Sequence, residues 1–181
     1  MAKTSLTHPL QIAWIRPFDS SGRIGVTFCP GKKQSDGLNG EWDRDLALDL
    51  DLIADEGVTA VLTLVETSEL AALGVEPLGN EVRGRGMAWF HAPIRDYRVP
   101  CTIFEGSWRA IGPELGRRVV AGEDILMHCK GGLGRAGTIA ARLLVELGFS
   151  PDRAIKEVRY VRPGAIETAE QEEHVRACRP I

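Results

Sequence analysis

Apolar positions along the chain follow two rhythms. Residues 12–16 and 23–28 are short β-branched and aromatic runs on either side of Asp19, Ser20, Ser21 and Gly22, which predicts two strands joined by a turn. Residues 58–65 form a continuous apolar run suited to a strand buried on both faces. Residues 87–92 and 125–128 read as further strands. Residues 41–56 fit both periods: Leu46, Leu48, Leu50 and Leu52 alternate, yet Trp42, Leu46, Leu50 and Ile53 share one helical face. Length and the stop at Gly57 favour a helix there. Other helices are predicted over 68–73 (ending at Gly74), 102–121, 135–147, 151–161 (with Pro151 in its first turn) and 169–177. Gly112 and Pro113 stand near the middle of the 102–121 helix, where they are placed to break it in two. Residues 29–40 and 93–100 read as loops. Strands alternating with helices predict an α/β fold, with a mostly parallel central sheet flanked by helices. No repeat or linker divides the chain, so residues 1–181 form a single domain, with 1–11 as a flexible N-terminal arm.

Composition narrows the class. The 181 residues are 44% hydrophobic and 26% charged, as in a soluble globular protein. A net charge of −3 gives no global attraction to nucleic acid, and no run is long and apolar enough for a membrane span or a signal peptide. Most of the 22 basic residues are arginines, whose forks suit phosphate or carboxylate. The cysteines (Cys29, Cys101, Cys129, Cys178) are scattered, and no histidine pairs with them at zinc-finger spacing. The acids of 41–56 (Glu41, Asp43, Asp45, Asp49, Asp51, Asp55, Glu56) read as a solvated helix face rather than a metal site. A reduced, cytoplasmic protein without metal or cofactor is expected.

Residues 124–144 carry the chemistry. A buried strand ends in Cys129, a turn containing Gly131, Gly132 and Gly134 follows, and a helix begins at Arg135. Ligands of open α/β sheets bind at the carboxyl ends of strands, where this turn falls. The glycines allow the amides of Lys130, Gly131, Gly132, Leu133, Gly134 and Arg135 to face inward as an anion cradle at a helix N-terminus. The same field favours thiolate over thiol. Arg135, six positions after Cys129, can return its guanidinium to the same point and meet two phosphate oxygens. A nucleophile and a phosphate clamp in one loop constitute a phosphoryl-transfer design.

His128-Cys129-Lys130-Gly131-Gly132-Leu133-Gly134-Arg135 fits the HCxxGxxR signature, and the chain resembles the cysteine-dependent protein tyrosine and dual-specificity phosphatases. It is most similar to their cyclin-dependent kinase-associated phosphatase branch. Cys29-Pro30-Gly31, Pro93-Ile94-Arg95-Asp96 and Gly164-Ala165-Ile166 extend the likeness over nearly the whole chain. The resemblance implies a phosphatase-type fold and a phosphorylated protein, such as a kinase, as substrate. It also implies a phosphocysteine intermediate formed without metal: Cys129 attacks phosphorus, Asp96 protonates the leaving oxygen and later activates water, and Arg135 with the loop amides holds the phosphate oxygens.

Supporting positions are less uniform. His128 either orients the loop through the backbone or packs as a neutral ring, and Lys130 faces either substrate or solvent. The family's hydroxyl after the arginine is replaced by Ala136. Thr138 lies two residues on, about 200° around the helix, and reads as a helix residue. Glu167 and Gln171 fall where the family carries a Gln-Thr-x-x-Gln pattern that positions water, with a carboxylate at the first position. These departures predict a slow second step. Rival readings are a phosphoinositide or other non-protein phosphatase, a slow phosphate-binding module, and a rhodanese-like sulfurtransferase, which lacks the acid loop.

Overall fold

The computed structural model describes residues 1–37 and 40–180, so the end of the predicted 29–40 loop, at residues 38–39, lies outside the described residues. In chain order the elements are β1 (Ala13–Ile15), β2 (Ile24–Phe28), β3 (Lys33–Gln34), β4 (Trp42–Asp43), α1 (Leu46–Asp55), β5 (Val58–Thr63), α2 (Thr67–Ala72) and α3 (Leu78–Gly84). They continue with β6 (Ala88–His91), α4 (Thr102–Val120), β7 (Asp124–Cys129), α5 (Gly134–Glu146), α6 (Pro151–Val161) and α7 (Ala169–Ala177). The main sheet has the order β1-β2-β7-β5-β6. Only the β1–β2 pair is antiparallel; β2–β7, β7–β5 and β5–β6 are parallel. The domain is therefore α/β with a mostly parallel sheet. β2 and β7 are apolar nearly throughout and buried on both faces, and α5 packs against both, with α6 and α7 on its other sides.

The parallel strands give the sheet two unlike rims. At the end where β2 and β7 begin, Arg23 closes on Asp124 through Nε (2.9 Å) and NH2 (2.7 Å) and lies 4.0 Å over the Trp14 ring. Arg118 joins Glu123, which also accepts from the Thr59 hydroxyl, and Gly22 is pressed against the Glu123 backbone too closely for any side chain. Asp124 is thus held at the rim opposite Cys129.

Four local expectations are corrected. Residues 41–56 do not form one helix: Trp42 and Asp43 pair with β3, Trp42 packs on Phe28 with ring centroids 5.1 Å apart, and α1 begins only after Asp45, whose carboxylate accepts from the Leu48 N–H. Capping chemistry, rather than the apolar period, sets that start. Asp49 is not on a solvated face. It is buried and bridged by Arg44 through Nε (2.8 Å) and NH2 (2.7 Å), and it accepts from the Gly31 N–H. Helix α3 forms where the sequence pattern predicts no element; at Gly79 the Trp89 ring lies 2.7 Å from where a Cβ would stand. Helix α4 runs through Pro113 unbroken. Phe104, Trp108, Leu115 and Val119 form one buried stripe, and Gly112 lets the Trp108 indole lie across it, which offsets the single hydrogen bond that proline removes.

Residues 1–11 are stitched to this frame. Lys3 exchanges backbone bonds with Glu41 and Asp43, Leu10 is buried, the Thr27 hydroxyl donates to Gln11, and Arg44 donates through NH1 to the His8 carbonyl at 2.7 Å.

The Arg44–Asp49 pair is enclosed on all sides, so removing one partner strands the other charge. Asp49→Ala is expected to destabilise the domain by about 3–5 kcal/mol in urea unfolding, and the double change Arg44→Met with Asp49→Leu to recover most of that loss.

Candidate active site

Strand β7 delivers Cys129 to the carboxyl rim of the sheet, and the chain turns through residues 130–133 into α5. The turn is pressed onto β2. Gly132 has φ +69°, and a Cβ there would fall 2.5 Å from the Thr27 carbonyl oxygen, so both its backbone angle and its position require glycine. Its N–H points at Cys129 Sγ at 3.2 Å. Cys129 is only 3% exposed, but its sulfur sits in polar company. It meets the Gly132 amide, and the basic side chains of Arg135, Lys32 and Arg162 lie around it.

Arg135 is 2% exposed and held from two sides. NH1 donates to Glu69 Oε2 (2.6 Å) and to the Ile94 carbonyl (2.9 Å), while NH2 donates to Glu69 Oε1 (2.9 Å). Burial works against this charge, but the Glu69 hydrogen bonds, with Cys129 and Asp96, more than reverse the effect, so its pKa stands above the ordinary arginine value. For Glu69, burial is likewise overcome by the Arg135 and Glu66 hydrogen bonds, and its pKa lies below the usual carboxylate range. Arg135 Nε–H is buried without an acceptor among the described residues. Asp96 Oδ1 lies 3.0 Å from Arg135 NH2 and accepts from the Tyr97 N–H at 3.1 Å. Tyr97, at φ +57°, holds the acid loop in a conformation that residues with side chains seldom adopt. The carboxylate of Asp96, 47% exposed, is therefore latched to the guanidinium at the mouth of the site.

Of the residues singled out in the sequence, Cys129, Arg135, Asp96 and the loop from Lys130 to Gly134 converge. Lys130 and Glu69 also border a cleft of about 300 Å³ with Lys33, Gln34, Ser35 and Asp36. His128 is fully buried, with Nε2 2.8 Å from the Thr63 hydroxyl, which accepts in turn from Trp89 Nε1–H. The Nδ1 of His128 has no hydrogen-bond partner among the described residues. Burial pushes the His128 pKa down to about 3, so the ring is neutral. Thr138 is turned away from the sulfur, its hydroxyl donating to the Gly134 carbonyl at 2.7 Å. Glu167 lays its carboxylate against Gly134. Gln171 is spent on structure: its side-chain oxygen accepts from the Glu167 and Thr168 N–H groups in a capping box, and its amide donates to the Arg98 carbonyl.

Three contributors were not read from the sequence. Glu69 opens α2, far from the motif, and nothing local marks it as a partner of Arg135. Lys32, buried against the Trp42 ring at 4.2 Å, donates to the Lys130 carbonyl at 3.4 Å, and burial pushes its pKa down to about 8. Arg162, at the end of α6, donates to the Gly131 and Gly132 carbonyls. Cys29 ends the neighbouring strand, and burial pushes its thiol pKa up, so it stays protonated.

Comparison with known proteins identifies the family. A family profile described as Swiss Army Knife protein, DSP-PTPase phosphatase domain, matches residues 43–175. The chain is similar to cyclin-dependent kinase inhibitor 3 of Rattus norvegicus, at 32% identity over 168 residues, spanning 90% of this chain and 76% of that protein. Among solved structures, kinase associated phosphatase (KAP) with its catalytic-site cysteine substituted by serine has a TM-score of 0.80 at 28% identity, covering 92% of each chain. Tk-PTP in its active form has a TM-score of 0.65 at 32% identity, covering 87% of this chain and 95% of its own. With a family domain spanning most of its length and these relatives across nine-tenths of it, the chain belongs to the DSP-PTPase phosphatases and is a cysteine-dependent protein phosphatase.

Proposed function

We propose that Cys129, Arg135 and Asp96 carry a two-step hydrolysis of phosphoproteins, kinases among them, in the cytoplasm. The observations that carry this assignment are the buried Nε–H of Arg135, which has no acceptor among the described residues, and the Cys129 sulfur, which already receives an amide hydrogen bond. A phosphate seated there meets the Arg135 Nε and NH2 donors and the inward amides of the loop. Since NH2 is also the atom that holds Asp96, the incoming dianion displaces that carboxylate and frees it to reach the leaving group.

In the first step the sulfur–phosphorus bond forms while the ester phosphorus–oxygen bond breaks. The departing electron pair goes to the ester oxygen, which takes the proton that the Asp96 carboxylate acquires from solvent once the phosphate has displaced it from Arg135. In the second, water loses a proton to the Asp96 carboxylate and attacks phosphorus, and the sulfur leaves as thiolate with release of inorganic phosphate. The kinase assignment draws on the names of the similar proteins, cyclin-dependent kinase inhibitor 3 and kinase associated phosphatase. The cytoplasmic one draws on four unpaired cysteines.

The second step is expected to limit turnover. Ala136 offers no hydroxyl, that of Thr138 is bound to the Gly134 carbonyl, and Gln171 is occupied in its cap. Stopped-flow hydrolysis of p-nitrophenyl phosphate should show a burst of nitrophenol; a strictly linear trace would remove this expectation. On a chelator-treated panel of phosphopeptides and phosphoinositides, Cys129→Ser should abolish activity. Asp96→Asn should lower hydrolysis of phosphothreonine peptides about 10²–10⁴-fold and that of p-nitrophenyl phosphate much less, because nitrophenolate needs little protonation. Full activity of either variant on phosphothreonine would refute the assigned roles, and cleavage of lipids alone would refute the phosphoprotein assignment. Glu69→Gln, which loosens Arg135, is expected to reduce kcat/KM about 10–100-fold, read in the same assay.

A further inference from the structure

The carbonyls of the phosphate-binding turn are all engaged on its outer side. The Lys130 carbonyl accepts from the Cys29 N–H and from Lys32 Nζ, the Gly131 carbonyl from Arg162 NH2 at 3.2 Å, the Gly132 carbonyl from Arg162 Nε at 3.0 Å, and the Leu133 carbonyl from the Ile166 N–H. In a trans peptide the C=O and the next N–H point in opposite directions, so fixing one outward fixes the other inward. The peptide joining residues 131 and 132 displays this directly: its oxygen is on Arg162 while its N–H is on Cys129 Sγ. The next peptide, also gripped by Arg162, turns the Leu133 N–H to the phosphate side.

Both units are flanked by glycine, so no side chain of their own fixes which way they face, although Gly132 itself is pressed onto Thr27. Gly131 has open space where a Cβ would be, and Gly132 sits at positive φ. We infer that Arg162 is a positioning residue for catalysis, whose two-pronged grip on the Gly131 and Gly132 carbonyls keeps their peptide N–H groups aimed at the nucleophile and the transferring phosphoryl group. This inference rests on the phosphatase reading of the site. The guanidinium fork matters because it spans two oxygens, which a lysine ammonium, as a single point, cannot reproduce. Charge on the donor also polarises both peptides and strengthens the hydrogen bonds made by their far ends.

The test compares the unsubstituted protein with Arg162→Ala and Arg162→Lys. With p-nitrophenyl phosphate, Arg162→Ala should lose about 10²-fold in kcat, the scale of removing one oxyanion donor, with KM changing far less. Arg162→Lys should keep the folded domain by circular dichroism yet remain at least about tenfold slow, since it holds one carbonyl. The second readout is alkylation of Cys129 by iodoacetamide at pH 7, followed by peptide mass spectrometry. Loss of the aimed amide leaves fewer sulfur anions, so alkylation slows in both variants, including the one that retains the charge. A merely structural role for Arg162 would loosen a buried cysteine and speed it. Native kcat in Arg162→Lys, or alkylation as fast as or faster than in the unsubstituted protein, overturns the inference. Should Arg162→Ala fail to fold, the lysine variant decides alone. An inactive unsubstituted protein would instead overturn the phosphatase reading, and the alkylation rates would still decide whether Arg162 aims the turn.

Discussion

A guanidinium removed from water must find anions or acceptors for its protons, and Arg135 organises the site through that demand. Enclosure of a lone charge is costly by several kcal/mol. Glu69 meets most of the demand with two hydrogen bonds, and the Ile94 carbonyl takes a third. What they leave over is the Nε–H, without an acceptor among the described residues, and the NH2 edge that Asp96 occupies. Three separate segments, the start of α2, the loop after β6 and the first turn of α5, are thereby locked together through one planar group. The orientation of that plane is fixed before any ligand arrives, which is the condition under which electrostatic stabilisation is most effective.

The surrounding fold supplies the same kind of constraint to the backbone. Parallel β2, β7 and β5 bring their carboxyl ends to one edge, so Cys29, Cys129 and the segment after Thr63 arrive together. Gly132 is jammed against Thr27, which prevents the turn from relaxing away from the sheet. The Thr63 hydroxyl joins Trp89 Nε1 to Nε2 of the neutral, buried His128 that immediately precedes Cys129.

Much of this was legible along the chain because the determinants are local. The strand ending at Cys129, the glycines that follow and the arginine six residues on are contiguous, and Asp96 occupies a loop that follows a recognisable strand. Glu69 and Arg162 were not legible, since each meets the turn only through the tertiary fold, and charged residues at the start of one helix and the end of another look ordinary in sequence. Asp49 illustrates the reverse failure: without knowing that Arg44 folds over it, an acid in an acidic stretch reads as solvated. The 41–56 segment misled because its leucines satisfy two periods at once, and only the capping carboxylate of Asp45 decides where the helix starts. At Pro113 the packing of Phe104, Trp108, Leu115 and Val119 outweighed a local breaker.

The ion-paired rim at Arg23, Asp124, Arg118 and Glu123 has a consequence of its own. It bears no reactive group, and it lies a full strand length from the sulfur. Durability and turnover therefore occupy separate ends of one small body, and each can drift without dragging the other along. Lineages adapting to heat or salt have a place to do so at the lower rim, while the upper one stays tuned to its chemistry.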